Sequence, residues 1–239
     1  MNLVIDYGNT SAKVGIFERE KLVDKHVFTS PGDLKKFVEK IQAENAMISS
    51  VTTDAAMIAS WIMNAKKKFI LNHTLPLPIK NRYATPATLG VDRLAGACGA
   101  RHLFPNENCL VIDAGTCITF DFIDIKGNYL GGGISPGLSM RFQAVNTFTA
   151  KLPLVLPVDN PKLIGDSTES CIQSGVINGI LQEIEGTIEE YKKKFMPLKI
   201  ILCGGDTVFF ENNLKASIFA SPELVLSGLN SILTHNVSQ

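Results

Sequence analysis

Leu3–Phe17 reads LVIDYGNTSAKVGIF, and Leu110–Asp124 reads LVIDAGTCITFDFID. The same four residues open each stretch, Asp6 and Asp113 end the apolar run, and Gly8 and Gly115 follow at the same distance. Each copy has the pattern of a buried strand, an acid at its end, a tight glycine turn with small hydroxyl residues, and a second β-rich run. It is predicted to be a hairpin whose turn can face a ligand. Glycine admits backbone conformations that other residues resist and lets an anion approach main-chain N–H groups. Asn9, Thr10 and Ser11 add side-chain donors and Lys13 a positive charge. An aspartate at the strand end is a hard oxygen ligand suited to Mg²⁺. For one copy alone, a plain hairpin turn with a capping aspartate is the simpler reading. Two copies in two halves of one chain favour a nucleotide cleft between duplicated lobes.

The 239 residues allow one large domain or two small ones. The repeat favours two lobes, placed at 1–108 and 109–239. Lys plus Arg and Asp plus Glu number 23 each, so the basic excess of a nucleic-acid binder is missing. The basic runs Lys66–Lys68 and Lys192–Lys194 read as solvated helix ends. The cysteines (Cys98, Cys109, Cys117, Cys171, Cys203) are odd in number, lack a C-x-x-C spacing and sit mostly among apolar neighbours. Reduced, buried thiols are expected. The N-terminus enters a strand directly, without a signal-peptide pattern, and no apolar run approaches the roughly 20 residues that span a bilayer. These features predict a soluble cytoplasmic protein.

Between the repeats the chain alternates strands and helices, the sign of an α/β layer structure. Glu18–Lys25 is polar, and His26–Phe28 resumes a strand. Ser30 or Asp33 can cap a helix carrying Leu34, Phe37, Val38 and Ile41. Ala46–Val51 reads as a strand, Thr52 and Thr53 lead into a helix through Trp61, and Phe69–Leu71 reads as a strand. Prolines 76, 78 and 86 bar regular structure from Leu75 to Pro86. That loop holds Tyr83 and runs into Thr88-Leu89-Gly90-Val91-Asp92-Arg93, ahead of an Ala/Gly-rich helix over Leu94–Leu103. Asp92 and Arg93 therefore stand near a helix start, where the dipole favours anions. A capping aspartate beside a surface arginine is the alternative.

In the second half, Lys126-Gly127-Asn128 makes a hairpin turn, and Gly131–Gly137 (GGGISPG) precedes a helix to about Phe148. That glycine-rich junction offers N–H groups for an anion, or a tight crossing of packed elements. A long helix is expected from Thr168 to about Lys194. Ile200–Cys203 is a buried strand ending in Gly204-Gly205-Asp206, a turn that can contact adenosine or simply reverse the chain. Leu224–Leu233 closes the chain as an apolar helix.

Taken together, six motifs resemble the type III pantothenate kinases of bacteria, within the superfamily of acetate and sugar kinases, heat-shock chaperone ATPases and actin. They are DYGNTSAK at Asp6–Lys13, Tyr83 with LGVDR ending at Arg93, DAGTCITFD at Asp113–Asp121, GGGISPG, TESCIQSG at Thr168–Gly175, and CGGD at Cys203–Asp206. They run in the family's order over nearly the whole chain.

The resemblance implies two ribonuclease-H-like lobes with ATP between them, and transfer of the γ-phosphoryl group to the primary hydroxyl of pantothenate, the first step towards coenzyme A. It implies Mg²⁺ with ATP, a monovalent cation (K⁺ or NH₄⁺), and a homodimer whose neighbouring subunit helps build the substrate site. Carried over by position, Asp6, Tyr7, Gly8, Asn9, Thr10, Ser11, Ala12 and Lys13 form the first phosphate loop, and Thr116 contacts ATP phosphate. Asp92 is the general base, Gly90, Val91 and Arg93 complete the substrate segment, and Tyr83 and Thr168 also contact pantothenate. Asp113 ligates the monovalent cation. Phosphoryl transfer asks mainly for positioning and charge stabilisation plus a carboxylate to take the hydroxyl proton, so no histidine is required.

Cys117, Cys171 and Cys203 depart from the family's usual Ala, Ile and Thr, without removing a proposed ligand or the base. Two other readings stay open: another small-molecule kinase or phosphatase of the same superfamily, and a non-catalytic accessory factor in gene regulation.

Overall fold

In the computed structural model, which describes residues 1–238, the first repeat forms β1 (Asn2–Tyr7) and β2 (Ala12–Glu18). They pair antiparallel, with Asp6 opposite Lys13. Around them lie β3 (Lys21–Phe28), β4 (Asn45–Ser50) and β5 (Lys67–Ile70), in the order β3-β2-β1-β4-β5. β1 runs parallel to β4 and places Asp6 opposite Ser49. The interior strands are continuous apolar runs, as strands covered on both faces must be. β3 is an edge strand that exposes alternate residues. Its edge position explains why it begins at Lys21, inside the run expected to be a polar link, because charged residues suit a solvated sheet edge.

Two short helices cover this sheet. α1 (Pro31–Val38) buries Leu34 and Val38; Ser30 precedes it without a side-chain cap bond, and Pro31 sets the first turn. α2 (Ala55–Trp61) is capped by Asp54, whose carboxylate accepts the Ala56 N–H at 2.9 Å. Thr52 and Thr53 lie ahead of that cap. Because α2 ends at Trp61, Lys67 and Lys68 open edge strand β5 and do not close a helix. Leu3, Ile5, Val14, Ile48, Ile58 and Ile62 fill the core between these layers.

The proline-broken loop contains only β6 (Lys80–Asn81) and a 3₁₀ turn at Pro86–Thr88 before α3 (Val91–Leu103). α3 packs against the last helix, α8 (Leu224–Val237). A methyl group at Gly228 would stand 1.8 Å from the Ala95 carbonyl oxygen, and one at Gly99 would stand 2.4 Å from that of Leu224. The two helices thus meet backbone to backbone.

The second repeat forms β7 (Asn108–Ala114) and β8 (Cys117–Ile123), followed by β9 (Asn128–Pro136). With β10 (Leu198–Cys203) and β11 (Phe219–Ala220) they make a sheet of order β11-β10-β7-β8-β9-β6. β10 lies parallel to β7 with Cys203 opposite Asp113. β9 continues through Gly131–Gly133 as far as Pro136, so these glycines belong to a strand, and the junction to α4 (Leu138–Thr147) falls at Gly137. The expected long helix is α5 (Thr168–Gln173), a π-helical stretch over Ser174–Asn178, and α6 (Gly179–Phe195). α7 (Thr207–Asn213) follows the Gly-Gly-Asp turn.

By contacts the chain forms two units: Met1–Asn106 with Ile123–Gly131 and the residues from Glu223 onward, and Glu107–Phe122 with Gly132–Pro222. None of the five cysteines forms a disulfide. Cys98, Cys109 and Cys203 are buried as expected, whereas Cys117 is half-buried and Cys171, on the outer side of α5, is exposed. Among the described residues no helix is long and apolar enough to cross a membrane.

Candidate functional site

In the first unit, β1 lies inside the sheet and delivers Asp6 to its end, 8% exposed, where its Oδ1 accepts from the Ser49 hydroxyl at 3.3 Å. The turn that follows is closed by the Gly8 N–H, which donates to the Ser11 carbonyl at 3.0 Å. That N–H belongs to the turn, which leaves the tip, Asn9 and Thr10, as the part presented to solvent. Val51 N–H donates to the Tyr7 carbonyl at 3.2 Å and Thr52 Oγ1 to that of Gly8 at 3.4 Å, tying the turn to the end of β4. Ala12 is buried and Lys13 half-buried on the returning strand.

The same unit gathers the second group of expected residues. Gly90 precedes α3, and Val91, Asp92 and Arg93 form its first turn. Asp92 Oδ1 accepts the Arg93 N–H at 2.9 Å, and a methyl group at Gly90 would stand 2.5 Å from that oxygen. The carboxylate therefore folds back over Gly90 at the positive end of the helix dipole, where an anion is favoured. Arg93 is not the surface residue of the simpler reading: it is only 8% exposed, and its guanidinium lies 6.0 Å from the centre of the Tyr83 ring. Asn81 Oδ1 accepts the Tyr83 N–H at 3.0 Å and fixes the loop. An acid, a buried cation and an aromatic ring thus share the start of one helix.

In the second unit, β7 brings Asp113 to the end of another interior strand. Its turn is shorter than the first: the Gly115 N–H donates to the Cys117 carbonyl at 3.0 Å, leaving only Thr116 between them. Two further segments grip this turn. Gly137 N–H donates to the Thr116 carbonyl at 3.1 Å, and a methyl group there would stand 2.3 Å from the Gly115 carbonyl oxygen. Asp206 N–H donates to the Ala114 carbonyl at 2.9 Å. Gly204 adopts φ +97°, and a side chain there would meet Asp113 Oδ1 at 2.5 Å. Arg141 donates to Ser135 Oγ at the end of β9 and to Glu183 Oε2 on α6, each at 2.6 Å. Burial pushes the Asp206 carboxyl up from its ordinary value, and it makes no cap bond to α7. Thr168 opens α5, exposed, behind a Ser167–Ser170 capping box.

The first unit therefore assembles Asp6–Lys13 as one turn and Tyr83, Gly90, Val91, Asp92 and Arg93 as one cluster; the second holds Asp113 and Thr116 in one turn, with Thr168 on a separate helix. Asp6 and Asp113 each supply one carboxylate at a strand end. That donor type fits a hard cation held by one or two carboxylates together with phosphate oxygens and water. Sequence reasoning missed Ser49, Gly137 and Gly204 as partners of these residues. Only the two glycine motifs hinted at the last two, without saying what they face.

A model of the family described as type III pantothenate kinase matches residues 2–190. The chain belongs to the type III pantothenate kinase family. A relative of that name from Christiangramia forsetii is 47% identical over the full length of both chains. One from Bacteroides fragilis is 42% identical over 99% of this chain and 98% of its own. Among solved structures, a protein named as a Baf family transcriptional activator from Campylobacter jejuni superimposes with TM-score 0.67 at 22% identity, covering 99% of this chain and 100% of that one. The activator of 2-hydroxyisocaproyl-CoA dehydratase from Clostridium difficile, with bound ADPNP, gives 0.55 at 12% identity over 99% and 95%. These likenesses concern the fold alone.

Proposed function

We propose that the chain transfers the γ-phosphoryl group of MgATP to the primary hydroxyl of pantothenate, giving 4'-phosphopantothenate for coenzyme A synthesis. The observation that carries this reading is the cluster at the start of α3, where Asp92 lies over Gly90 beside buried Arg93 and the Tyr83 ring. Family membership supports the reaction, and this cluster supports the acceptor half of the reading.

In this reading Asp92 takes the hydroxyl proton, and Arg93 and Tyr83 bind the acceptor with Gly90, Val91 and Thr168. A loose phosphoryl-transfer transition state needs little basicity, so an ionised aspartate suffices. The turn Asp6–Lys13 and Thr116 hold the phosphates. Asp6 is a ligand for the Mg²⁺ that accompanies ATP, and Asp113 one for K⁺ or NH₄⁺. Mg²⁺ supplies charge neutralisation at the phosphates; the chain's own residues orient donor and acceptor. The working form is a homodimer whose neighbouring subunit completes the substrate site.

The test is ADP release from MgATP by purified protein, with and without pantothenate, in K⁺ and in Na⁺ buffers. Pantothenate-dependent release that rises with K⁺ is the expected result. Release that ignores pantothenate would leave a kinase or phosphatase with another substrate. A second reading, an accessory factor in gene regulation, draws on the resemblance to the Campylobacter jejuni protein. Absence of any release would favour it.

A further inference from the structure

The sequence leaves Gly131 either in an anion-binding junction or in a tight crossing of packed elements, and in the structure it makes a close approach. It lies in β9 at φ +92°, and a methyl group on it would stand 2.9 Å from both Cδ2 and Cε2 of Tyr83. The Tyr83 ring therefore rests edge-on against the bare α-carbon of Gly131. On its other approaches the ring has the Arg93 guanidinium 6.0 Å and the Tyr129 ring 6.2 Å from its centre. Tyr129 is fully buried, and its carbonyl accepts the Arg82 N–H at 2.9 Å, which joins the Tyr83 loop to β9. A side chain at 131 would displace the ring from this stance.

We infer that Gly131 is a positioning residue for the acceptor site: its missing side chain sets the stance of Tyr83, and through it affinity for the alcohol substrate and not for the nucleotide. The inference rests on the reading of Tyr83 as an acceptor contact. Its mechanical half, the contact between residue 131 and the ring, stands independently and is measured separately.

The experiment compares Gly131→Ala, Tyr83→Ala and the double variant for melting temperature and for steady-state kinetics with pantothenate and ATP. Gly131→Ala is expected to lower kcat/KM for pantothenate by about 10²-fold, the scale of an ångström-sized misplacement, chiefly through KM, with KM for ATP changed less than about twofold. The double variant is expected to lose less relative to Tyr83→Ala than Gly131→Ala loses relative to wild type: φ +92° strains the added methyl in both backgrounds, but only with the ring present does it also strike a neighbour. The double is also expected to melt above Gly131→Ala, a comparison that holds even if pantothenate is not the acceptor. If only the double folds, the contact is supported. Equal losses from Gly131→Ala with and without the ring, equal rises in both KM values, or failure of both variants to fold would place the constraint in the strand backbone and overturn the proposal.

Discussion

Asp92 serves as helix-start acid or as proton acceptor, and one substitution separates the two. Asp92→Asn keeps the size and the hydrogen-bond acceptor facing the Arg93 N–H, so melting temperature is expected to hold while kcat falls about 10²–10⁴-fold. Near-normal kcat with a lowered melting temperature would reduce Asp92 to a structural cap. The thiols give a second prediction at this scale. Burial pushes the Cys98 thiol far up, and an uncharged, enclosed sulfur is a poor nucleophile. Iodoacetamide is expected to label exposed Cys171 first and half-buried Cys117 more slowly, leaving Cys98, Cys109 and Cys203 until the chain unfolds. Mass spectrometry of the labelled peptides checks the order. Nothing in the sequence sets Cys171 apart, because exposure on a helix depends on which face packs, and α5 is too short for its periodicity to declare one.

At the scale of elements, the β8–β9 hairpin shows how a turn is locked. Asp124 Oδ1 accepts from the N–H groups of Lys126 and Asn128 at 2.9 and 2.8 Å, and Oδ2 from Asn128 Nδ2 at 2.8 Å. Burial works against its charge, but the bonds from Asn128 and Lys126 prevail and hold the carboxyl below its ordinary value. A lowered folded value means stability that is present above the ordinary 3.8 and lost as pH falls through the folded value. Asp124→Ala is therefore expected to lower Tm by about 2–4 °C at pH 7, with the gap to wild type closing below pH 3.8. Thermal melts from pH 7 downward follow it. A second element-scale prediction concerns residues 149–167. There Gln173 Nε2, Ser174 Oγ and Asn178 Nδ2, from α5 and the π-helical stretch, donate to the carbonyls of Leu156, Leu163 and Lys162. Ser174→Ala is expected to speed tryptic cleavage at Lys162 without changing far-UV circular dichroism.

The hairpins were legible because their apolar runs, acids and glycines repeat in order. The difference between their turns, four residues between β1 and β2 against two between β7 and β8, was not, since LVID, one more residue and a glycine read alike in both. The π-helical stretch was invisible for a related reason: its residues carry ordinary helical periodicity, and the bonds Ser174 and Asn178 make to Leu163 and Lys162 are between segments far apart in local pattern.

For the whole molecule, the expected assembly predicts a light-scattering mass of twice 26.0 kDa, and a monomer that phosphorylates pantothenate would separate activity from pairing. The acid-bearing helix α3 depends on α8, whose Leu224, Leu226, Leu229, Ile232 and Leu233 are buried and whose Gly228 touches the Ala95 carbonyl. At about 1.5–3 kcal/mol for each large apolar side chain, their burial is of the order of a domain's entire stability. A chain ending before Glu223 is therefore expected to lose the first unit's cooperative melt. Synthesis runs the other way: Asp92 leaves the ribosome long before α8 exists. The partner that seats it is translated far later, so on a translating ribosome the helix that carries Asp92 waits for α8, and a chain stalled before α8 exposes the apolar face of α3 instead of a working site.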